Sequence, residues 1–340
     1  MKILYSIHNN INSTYNAKKI IEQLSNKHTV AIAAFSLANK YFKDIHWNLS
    51  SAYVMSTIPY NKYILNDLFE NVTIPILNEN VGKILLNQVA YWNPDLVISD
   101  NESILRCVAN KLNIPLWGVS GSLAHRAYMF GSYKTYFKVW NQKKWFRDAT
   151  LSPDKPVSDK YIYYSPFELH NKQLRTKFNL EKVSPTVELN INSASDIHVS
   201  VLSKKRLLKL KSLINKLSMD YKISIAHHDL KDDFPFCSSV DTENVSSPFT
   251  ITCGNSTEIA YSLKKKSSIL VIPDLKDLES CFNGSAIKVL NYGDELGQIE
   301  LMGKYSLDYV EKFLDRKYEV PYLRENQFHL SNLIAKEFDI

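Results

Sequence analysis

FTITCGNSTEIAYSLKKKSSILVIPDLKDLESCFNG, residues 249–284, decides how the rest of the chain is read. A short apolar run ends in Cys253-Gly254-Asn255-Ser256-Thr257. A helix-like stretch follows, and a second apolar run ends in Pro273-Asp274. Strand, small-residue turn, helix, strand is the unit of a parallel sheet, because two parallel strands need a crossover between them and a helix usually makes it. An acidic and polar segment through Glu279 then closes at Asn283-Gly284, so two strand ends, a tight turn and a carboxylate are brought near one another.

Working outward, the same plan recurs on both sides. DIHVSVL, YKISIAH and FTIT read as strands, SILVIP as another, and KKRLLKLKSLINKL as one helix with Leu207, Leu210, Ile214 and Leu217 on one side. In the first half KILYSI, TVAIAAF, DLVIS and IPLWGVS read as strands. YNAKKIIEQLSN, capped by Ser13 or Thr14, VGKILLNQVAYW and NESILRCVANKL read as helices. Continuous apolar runs alternating with helices predict parallel sheets covered on both faces. SPDKPVSDK and EKVSPTVELNINSASD, polar and Pro/Ser-bearing, read as the linker. The expectation is an α/β protein of two facing, doubly wound Rossmann-like domains, residues 1–184 and 185–320, with a C-terminal helix over 321–340.

Composition bounds the function without naming it. The chain of 340 residues is 45% hydrophobic and 22% charged, ordinary for a globular protein with room for two cores. MKILYSIHNN reads as a first strand rather than a secretory signal, so a cytoplasmic location is expected. Cys107, Cys237, Cys253 and Cys281 lack CxxC spacing and read as scattered reduced thiols, not a zinc site. The net charge of +6 is unevenly spread: no Asp or Glu occurs from Ser103 to Arg147. A monomer is expected.

In doubly wound sheets, ligands bind beyond the carboxyl ends of the strands. That rule selects the turns around residues 8–14, 100–102, 120–126, 203–206, 253–257 and 273–283. Their residues resemble a known family. ITCGNST…SLKKKSSILVIPD…LESCFNGSA is similar to the donor signature of GT-B nucleotide-sugar glycosyltransferases, in the branch that includes the bacterial lipid-linked N-acetylglucosamine transferase. Gly254 and Thr257 match its turn, Pro273 its strand end, and Glu279 with Asn283-Gly284 its last element. NPDLVISDNESILRCVANKLNIPLWGVS resembles a unit of that family's N-terminal domain. The chain departs from the pattern in its first turn, HNNINSTYN, in LSKKR where Ser-Gly-Gly is usual, and in Ser280 where a Gln follows the acid. Tyr261 lies nearest the place of the ribose-binding Glu, with Glu258 one turn earlier.

The resemblance implies a nucleotide-sugar donor, UDP-linked, and transfer with inversion to a hydroxyl. Gly254, Asn255, Ser256 and Thr257 open a helix whose dipole and free amides suit a diphosphate; an ordinary capped loop is the alternative. Lys204, Lys205 and Arg206 sit at a helix start, where cations are unfavourable unless they face an anion, so they read as a phosphate clamp or as a solvated basic face. Glu279, with Asp274 and Asp277 nearby, suits sugar or ribose hydroxyls, and surface acidity is the alternative. For the base that takes the acceptor's proton, Asp100 is the first choice, then His8 and Glu102. Asp100 followed by Asn101-Glu102-Ser103 reads equally as a helix cap. His227-His228 alternate faces along a strand, and no DxD occurs, so neither a metal nor a cofactor beyond the donor is expected.

The acceptor is expected at His125–Arg147, where Arg126, Lys134, Lys138, Trp140, Lys143, Lys144 and Arg147 lie among further aromatics. Cations with stacking rings suit nucleic acid, and a hydroxymethylated DNA base is the favoured acceptor. A membrane surface carrying a lipid-linked or surface glycan is the next reading, and a solvated basic helix face the plainest. A sugar-nucleotide epimerase and a non-catalytic nucleotide-sugar or nucleic-acid binder remain alternatives.

Overall fold

The computed structural model describes residues 1–7, 11–35, 52–58, 80–100, 104–119, 158–167, 180–185, 187–201, 204–226, 232–274, 278–297, 306–321 and 330–339. The first half holds strands β1 (Lys2–Ile7), β2 (Thr29–Phe35), β3 (Ala52–Ile58), β4 (Leu96–Asp100), β5 (Leu116–Val119), β6 (Lys160–Tyr164) and β7 (Leu180–Val183). They form one parallel sheet in the order β3-β2-β1-β4-β5-β6-β7. Helices α1 (Ile11–Ser25), α2 (Asn80–Trp92) and α3 (Ile104–Leu112) connect it. One face, with Ile3, Tyr5, Ile7, Ile98 and Val119, packs on Ala17, Ile21 and Leu24 of α1. The other, with Leu4, Ala31 and Val97, packs on Leu85 and Val89 of α2 and Leu105 and Val108 of α3. Both faces being apolar is why these strands read as continuous runs.

The second half contains β8 (Ser193–Ala194), β9 (Ile197–Ser200), β10 (Ile223–Ile225), β11 (Ser238–Ser239), β12 (Val245–Ser246), β13 (Phe249–Thr252), β14 (Ser268–Val271) and β15 (Gly293–Glu295). Six form a parallel sheet in the order β11-β10-β9-β13-β14-β15, while β8 and β12 pair with each other. Helices α4 (Lys204–Lys209), α5 (Lys211–Leu217), α6 (Ser256–Lys264), α7 (Leu278–Val289), α8 (Ser306–Leu314) and α9 (Leu330–Glu337) accompany them. The chain direction across each sheet reverses once, between β1 and β4 in the first and between β9 and β13 in the second. These are the switch points at which such folds bind ligands.

Alternation along the second sheet separates two chemistries. Ile197, Val199, Ile223, Ile225 and Ile251 face Leu207, Leu210, Ile214 and Val310 in an apolar core. The intervening residues His198, Ser200, Ser224, Thr250 and Thr252 are buried on the other face as a hydrogen-bonded polar layer. His198 Nδ1 lies 2.8 Å from Ser224 Oγ and its Nε2 3.2 Å from Thr242 Oγ1, which is 3.0 Å from Ser200 Oγ. Burial holds this imidazole neutral, with its pKa down to about 3.

Three expectations are corrected. SPDKPVSDK and EKVSPTVELNINSASD are not simply linker: the first ends in Lys160, which starts β6, and the second supplies Glu181, Lys182 and Val183 of β7. Helix α1 starts at Ile11, so Ser13 and Thr14 lie inside its first turn and neither is its cap. The single helix expected through KKRLLKLKSLINKL is two, broken at Leu210.

The stretch between those two segments joins the halves. Tyr161 and Tyr163 of β6, with Phe167, pack on Ile259 and Leu263 of α6, Ile269 and Val271 of β14, and Phe282 of α7. The Phe167 and Phe282 rings meet edge-on at 6.5 Å, a geometry worth about 0.5–1.5 kcal/mol beyond area burial. Lys264 Nζ donates to the carbonyl of Val187 at 2.9 Å. Helix α9 returns to the first half, burying Leu330 and Ile334 in the core that holds α1. Its Glu337 meets the buried Lys160 ammonium at 2.7 Å, and that ammonium stands 5.0 Å from the Trp117 ring. Among the described residues no helix is long and apolar enough to cross a membrane.

Candidate functional site

Register brings the carboxyl ends of the central strands into line. In the second sheet Ser200 pairs with Thr252, and Thr252 with Val271. The turn after Thr252 is held by its own side chains. Gly254 has φ +87°, a conformation L side chains rarely adopt. A Cβ there would stand 2.8 Å from Val271 Cγ1 and 2.9 Å from the Ser280 carbonyl oxygen, so the turn is pressed against β14 and α7. The Gly254 amide donates to Thr252 Oγ1 at 3.1 Å, and the Thr252 hydroxyl donates to the buried Glu258 carboxylate.

Asn255 caps α6, its Oδ1 accepting from the Thr257 amide at 2.9 Å. The Ser256 amide donates to Glu279 Oε1 at 3.0 Å. A carboxylate therefore stands at the α6 N-terminus, where the helix dipole and open amides favour negative charge. From α7, Asn283 Nδ2 donates to the Gly254 carbonyl at 2.8 Å and to Ser256 Oγ at 3.1 Å. The Ser280 hydroxyl donates to the Cys253 carbonyl and accepts the Asp274 amide at 2.8 Å. Asn255 Nδ2 and Asn283 Oδ1, both at this turn, are buried with no hydrogen-bond partner among the described residues. One is a donor and the other an acceptor, and each such group is costly unless something meets it.

The Arg206 guanidinium approaches Asp274 Oδ1 at 3.5 Å, both groups partly exposed. Among the cations that begin α4, Arg206 thus faces a carboxylate at the end of β14, and Lys205 is exposed. Lys204 opens α4. Burial pushes the Cys253 thiol up to about 12, with Glu258 adding to the shift and Arg206 opposing it, which favours the neutral thiol.

In the first half, Asp100 ends β4 in register with Ile7 of β1 and Val119 of β5, and it is buried. Helix α3 starts at Ile104, so Asp100 is the end of a strand and not that helix's cap. Tyr5 donates to Asp100 Oδ2 at 3.5 Å, the long end of hydrogen-bond range. Tyr164, the last residue of β6, is buried on the same face, and its hydroxyl has no hydrogen-bond partner among the described residues. Burial pushes both phenols well above 10, aided by the Asp100 carboxylate, and for Tyr164 also by Glu279. Both tyrosines are therefore neutral donors, and Tyr164 is within electrostatic reach of carboxylates from both halves.

Gly254, Asn255, Ser256, Thr257, Asp274, Glu279 and Asn283 thus gather at one switch point, with Arg206 at their edge. Asp100 stands at the other. His8, Glu102, Asp277, Arg126, Lys134, Lys138, Trp140, Lys143, Lys144, Arg147 and the pair His227-His228 lie outside the described residues. Tyr261, nearest in sequence to the place of a ribose-binding acid, is packed with Val187 and Ala260. Tyr5 and Tyr164 were not singled out from sequence. The available signal was a phenol on the ligand-facing end of a strand, but KILYSI and KYIYY read equally well as core. Among the described residues no group of three or more His, Cys, Asp or Glu is placed to hold a metal ion.

Comparison with known proteins agrees with this architecture. No curated protein matches the chain. Among solved structures, CalG4, the calicheamicin glycosyltransferase, superposes with a TM-score of 0.62 at 14% identity, over 99% of this chain and 97% of its own. A UDP-glucosyltransferase from Polygonum tinctorium capable of glucosylating indoxyl gives 0.60 at 10% identity, over 92% and 88%. The glycotransferase of kitacinnamycin gives 0.58 at 12% identity, over 93% and 90%. These likenesses are to the two-domain GT-B fold. Residues 1–233 match the family described as glycosyl transferase family 1. With its two parallel, singly reversed sheets and that match over more than half its length, the chain belongs to glycosyl transferase family 1.

Proposed function

We propose that the chain transfers a sugar from a UDP-sugar to a hydroxyl, with inversion and without a required metal. The observation that carries the donor side is the turn 253–257: a fixed positive-φ glycine, a helix N-terminus occupied by the Glu279 carboxylate, and buried polar atoms of Asn255 and Asn283 with no hydrogen-bond partner among the described residues. An anion already sits where a diphosphate would bind, so binding exchanges one anion for another at the Ser256 amide. Released from that amide, Glu279 is free to accept from sugar or ribose hydroxyls. Arg206, in reach of Asp274, supplies the counter-charge. Residues 185–320 are assigned to the donor and 1–184 to the acceptor.

On the acceptor side, Asp100 takes the proton of the attacking hydroxyl. The hydroxyl oxygen forms a bond to the anomeric carbon while the bond to the diphosphate oxygen breaks, and UDP leaves with the electron pair. A single displacement of this kind inverts the anomeric centre. The favoured acceptor is a hydroxymethylated base in DNA, supported by the cation and aromatic run 125–147. A small aromatic hydroxyl compound is the second reading, favoured by the likeness to the calicheamicin and indoxyl enzymes.

Incubation with a panel of UDP-sugars, with and without chelator, tests both, using a hydroxymethylcytosine oligonucleotide in one arm and indoxyl-like phenols in the other. Mass spectrometry reads the adduct and the proton coupling of the new linkage reads inversion. Adduct on DNA, with a salt dependence flattened by Lys143→Ala/Lys144→Ala/Arg147→Ala, supports the first reading. Adduct on phenols alone supports the second. UDP-sugar binding with neither adduct, or isomerised donor, moves the assignment to a binder or an epimerase.

A further inference from the structure

Glu279 lies in the first turn of α7, and its Oε1 accepts from the Ser256 amide at the start of α6 at 3.0 Å. The carboxylate is thus held between the N-termini of two helices, each of which favours negative charge. Ser256 has no exposed surface, whereas Glu279 is partly buried. A phosphate oxygen therefore takes the Ser256 amide only by taking the place of the carboxylate. The backbone on either side is tied down independently of that bond. The Ser280 hydroxyl donates to the Cys253 carbonyl and accepts the Asp274 amide at 2.8 Å, and Asn283 Nδ2 donates to the Gly254 carbonyl at 2.8 Å. The turn and α7 keep their places when the amide changes partner, and the exchange is a rotation of one side chain. After it the carboxylate still stands at the start of α7, which continues to favour its charge.

We infer that Glu279 is a two-position specificity residue, which distinguishes the nucleotide-sugar donor from the nucleoside diphosphate left after transfer. It competes with the diphosphate for the Ser256 amide, and gives the amide up at little cost only when sugar hydroxyls receive its carboxylate. The inference rests on the nucleotide-sugar reading above and adds to it how the spent nucleotide leaves. With a nucleotide sugar bound, the carboxylate exchanges a backbone N–H for sugar hydroxyls, and the exchange is nearly even in hydrogen bonds. With UDP alone, the diphosphate takes the amide and the carboxylate gains no hydroxyl in return. A charged acceptor that loses its donor is more costly than a neutral one, and here it is left beside another anion. The carboxylate therefore returns to Ser256 once the sugar has been transferred, and UDP is displaced.

Glu279→Ala removes the competitor, and Glu279→Gln keeps its shape without its charge. Calorimetry on the full chain measures Kd for UDP, UDP-glucose, UDP-galactose and UDP-N-acetylglucosamine at low and high salt, and thermal unfolding is recorded without ligand. The expected result is UDP bound about tenfold more tightly by Glu279→Ala, the scale of one charge-assisted contact, and more tightly to a lesser degree by Glu279→Gln. Kd for the best UDP-sugar should move by less than about threefold, because the lost sugar contact offsets the vacated amide. The gain for UDP should persist at high salt, where repulsion between separated charges is screened. Unchanged or weaker UDP binding in both variants overturns the inference and, with a lowered unfolding midpoint, makes Glu279 a structural cap for α6. Equal tightening of UDP and the UDP-sugars overturns it too, because the carboxylate then competes without discriminating. So does a gain for UDP that vanishes at high salt, which is a general charge effect. If wild type binds nothing in the panel, the donor reading itself falls, and this inference with it.

Discussion

Replacing Gly254 by Ala tests the physical basis of the candidate donor turn. At φ +87° a side chain costs about 1–2 kcal/mol. The new methyl would stand 2.8 Å from Val271 Cγ1 and 2.9 Å from the Ser280 carbonyl oxygen, so β14 or α7 must shift. Overpacking of this kind costs about 1–3 kcal/mol. Alanine restricts the unfolded chain and returns about 0.4–1 kcal/mol. The net expectation is a loss of about 1–5 kcal/mol, a large share of the 5–15 kcal/mol typical of folded proteins. Urea unfolding, followed by tryptophan fluorescence and circular dichroism, should show a lower midpoint. Donor affinity should fall with it, because the Ser280 and Asn283 contacts move with the turn.

Gly284→Ala is the internal control. It lies in α7 at ordinary φ, and the three atoms nearest its new methyl all belong to the Glu295 side chain, the closest at 3.1 Å. Helix propensity then favours alanine by about 0.5–1 kcal/mol, so this variant should be neutral or slightly stabilised. A Gly254→Ala midpoint at or above wild type would refute the reasoning from backbone conformation and contact distance. Equal losses in both variants would show that the region rejects any added methyl, and the specific claim about the turn would fail.

Asp100→Asn should lower turnover about 10²–10⁴-fold with donor affinity nearly unchanged; full activity in steady-state assays would move the base to another group. Tyr5→Phe, which removes the donor to Asp100, should cost about 0.5–1.5 kcal/mol in urea unfolding, and an unchanged midpoint would show the 3.5 Å contact to be idle. Arg206→Ala should weaken UDP binding in calorimetry by about tenfold, as loss of a charge-assisted contact does, whereas unchanged affinity would discard the clamp. The neutral His198 imidazole takes up a proton on unfolding below pH 6.5, so between about 6.5 and 3 the unfolded chain binds more protons and stability falls as pH falls. His198→Gln should flatten that slope by up to about 1.4 kcal/mol per pH unit in unfolding measured across the window, and parallel slopes would contradict it.

The parts legible in sequence were those governed by local pattern. Apolar runs such as DLVIS and SILVIP could only be strands covered on both faces, and CGNST after FTIT could only be a turn opening a helix. The cation and aromatic run 125–147 could be named from composition alone, but its role depends on what surface it forms. KYIYY and LEKV were not read as strands, because polar, Pro-bearing segments flank them, and what makes them strands is pairing of β6 with β5 and β7 and the packing of β6 against α6 and α7. Glu258 was noted in sequence only as displaced from a ribose-binding position. Its buried contact with Thr252, and through it with Gly254, depends on the curvature of the turn.

By itself, the sequence determined the two parallel α/β sheets, the turns at their carboxyl ends and the resemblance to nucleotide-sugar transferases, because each rests on periodicity or on residues close together in the chain. Only the tertiary structure decided that Glu279 sits on the Ser256 amide, that Arg206 reaches Asp274, and that Tyr5 and Tyr164 stand beside Asp100. Those contacts join residues 23, 68, 95 and more positions apart. Strand register and helix packing bring them together, and neither can be read from the local pattern of one segment.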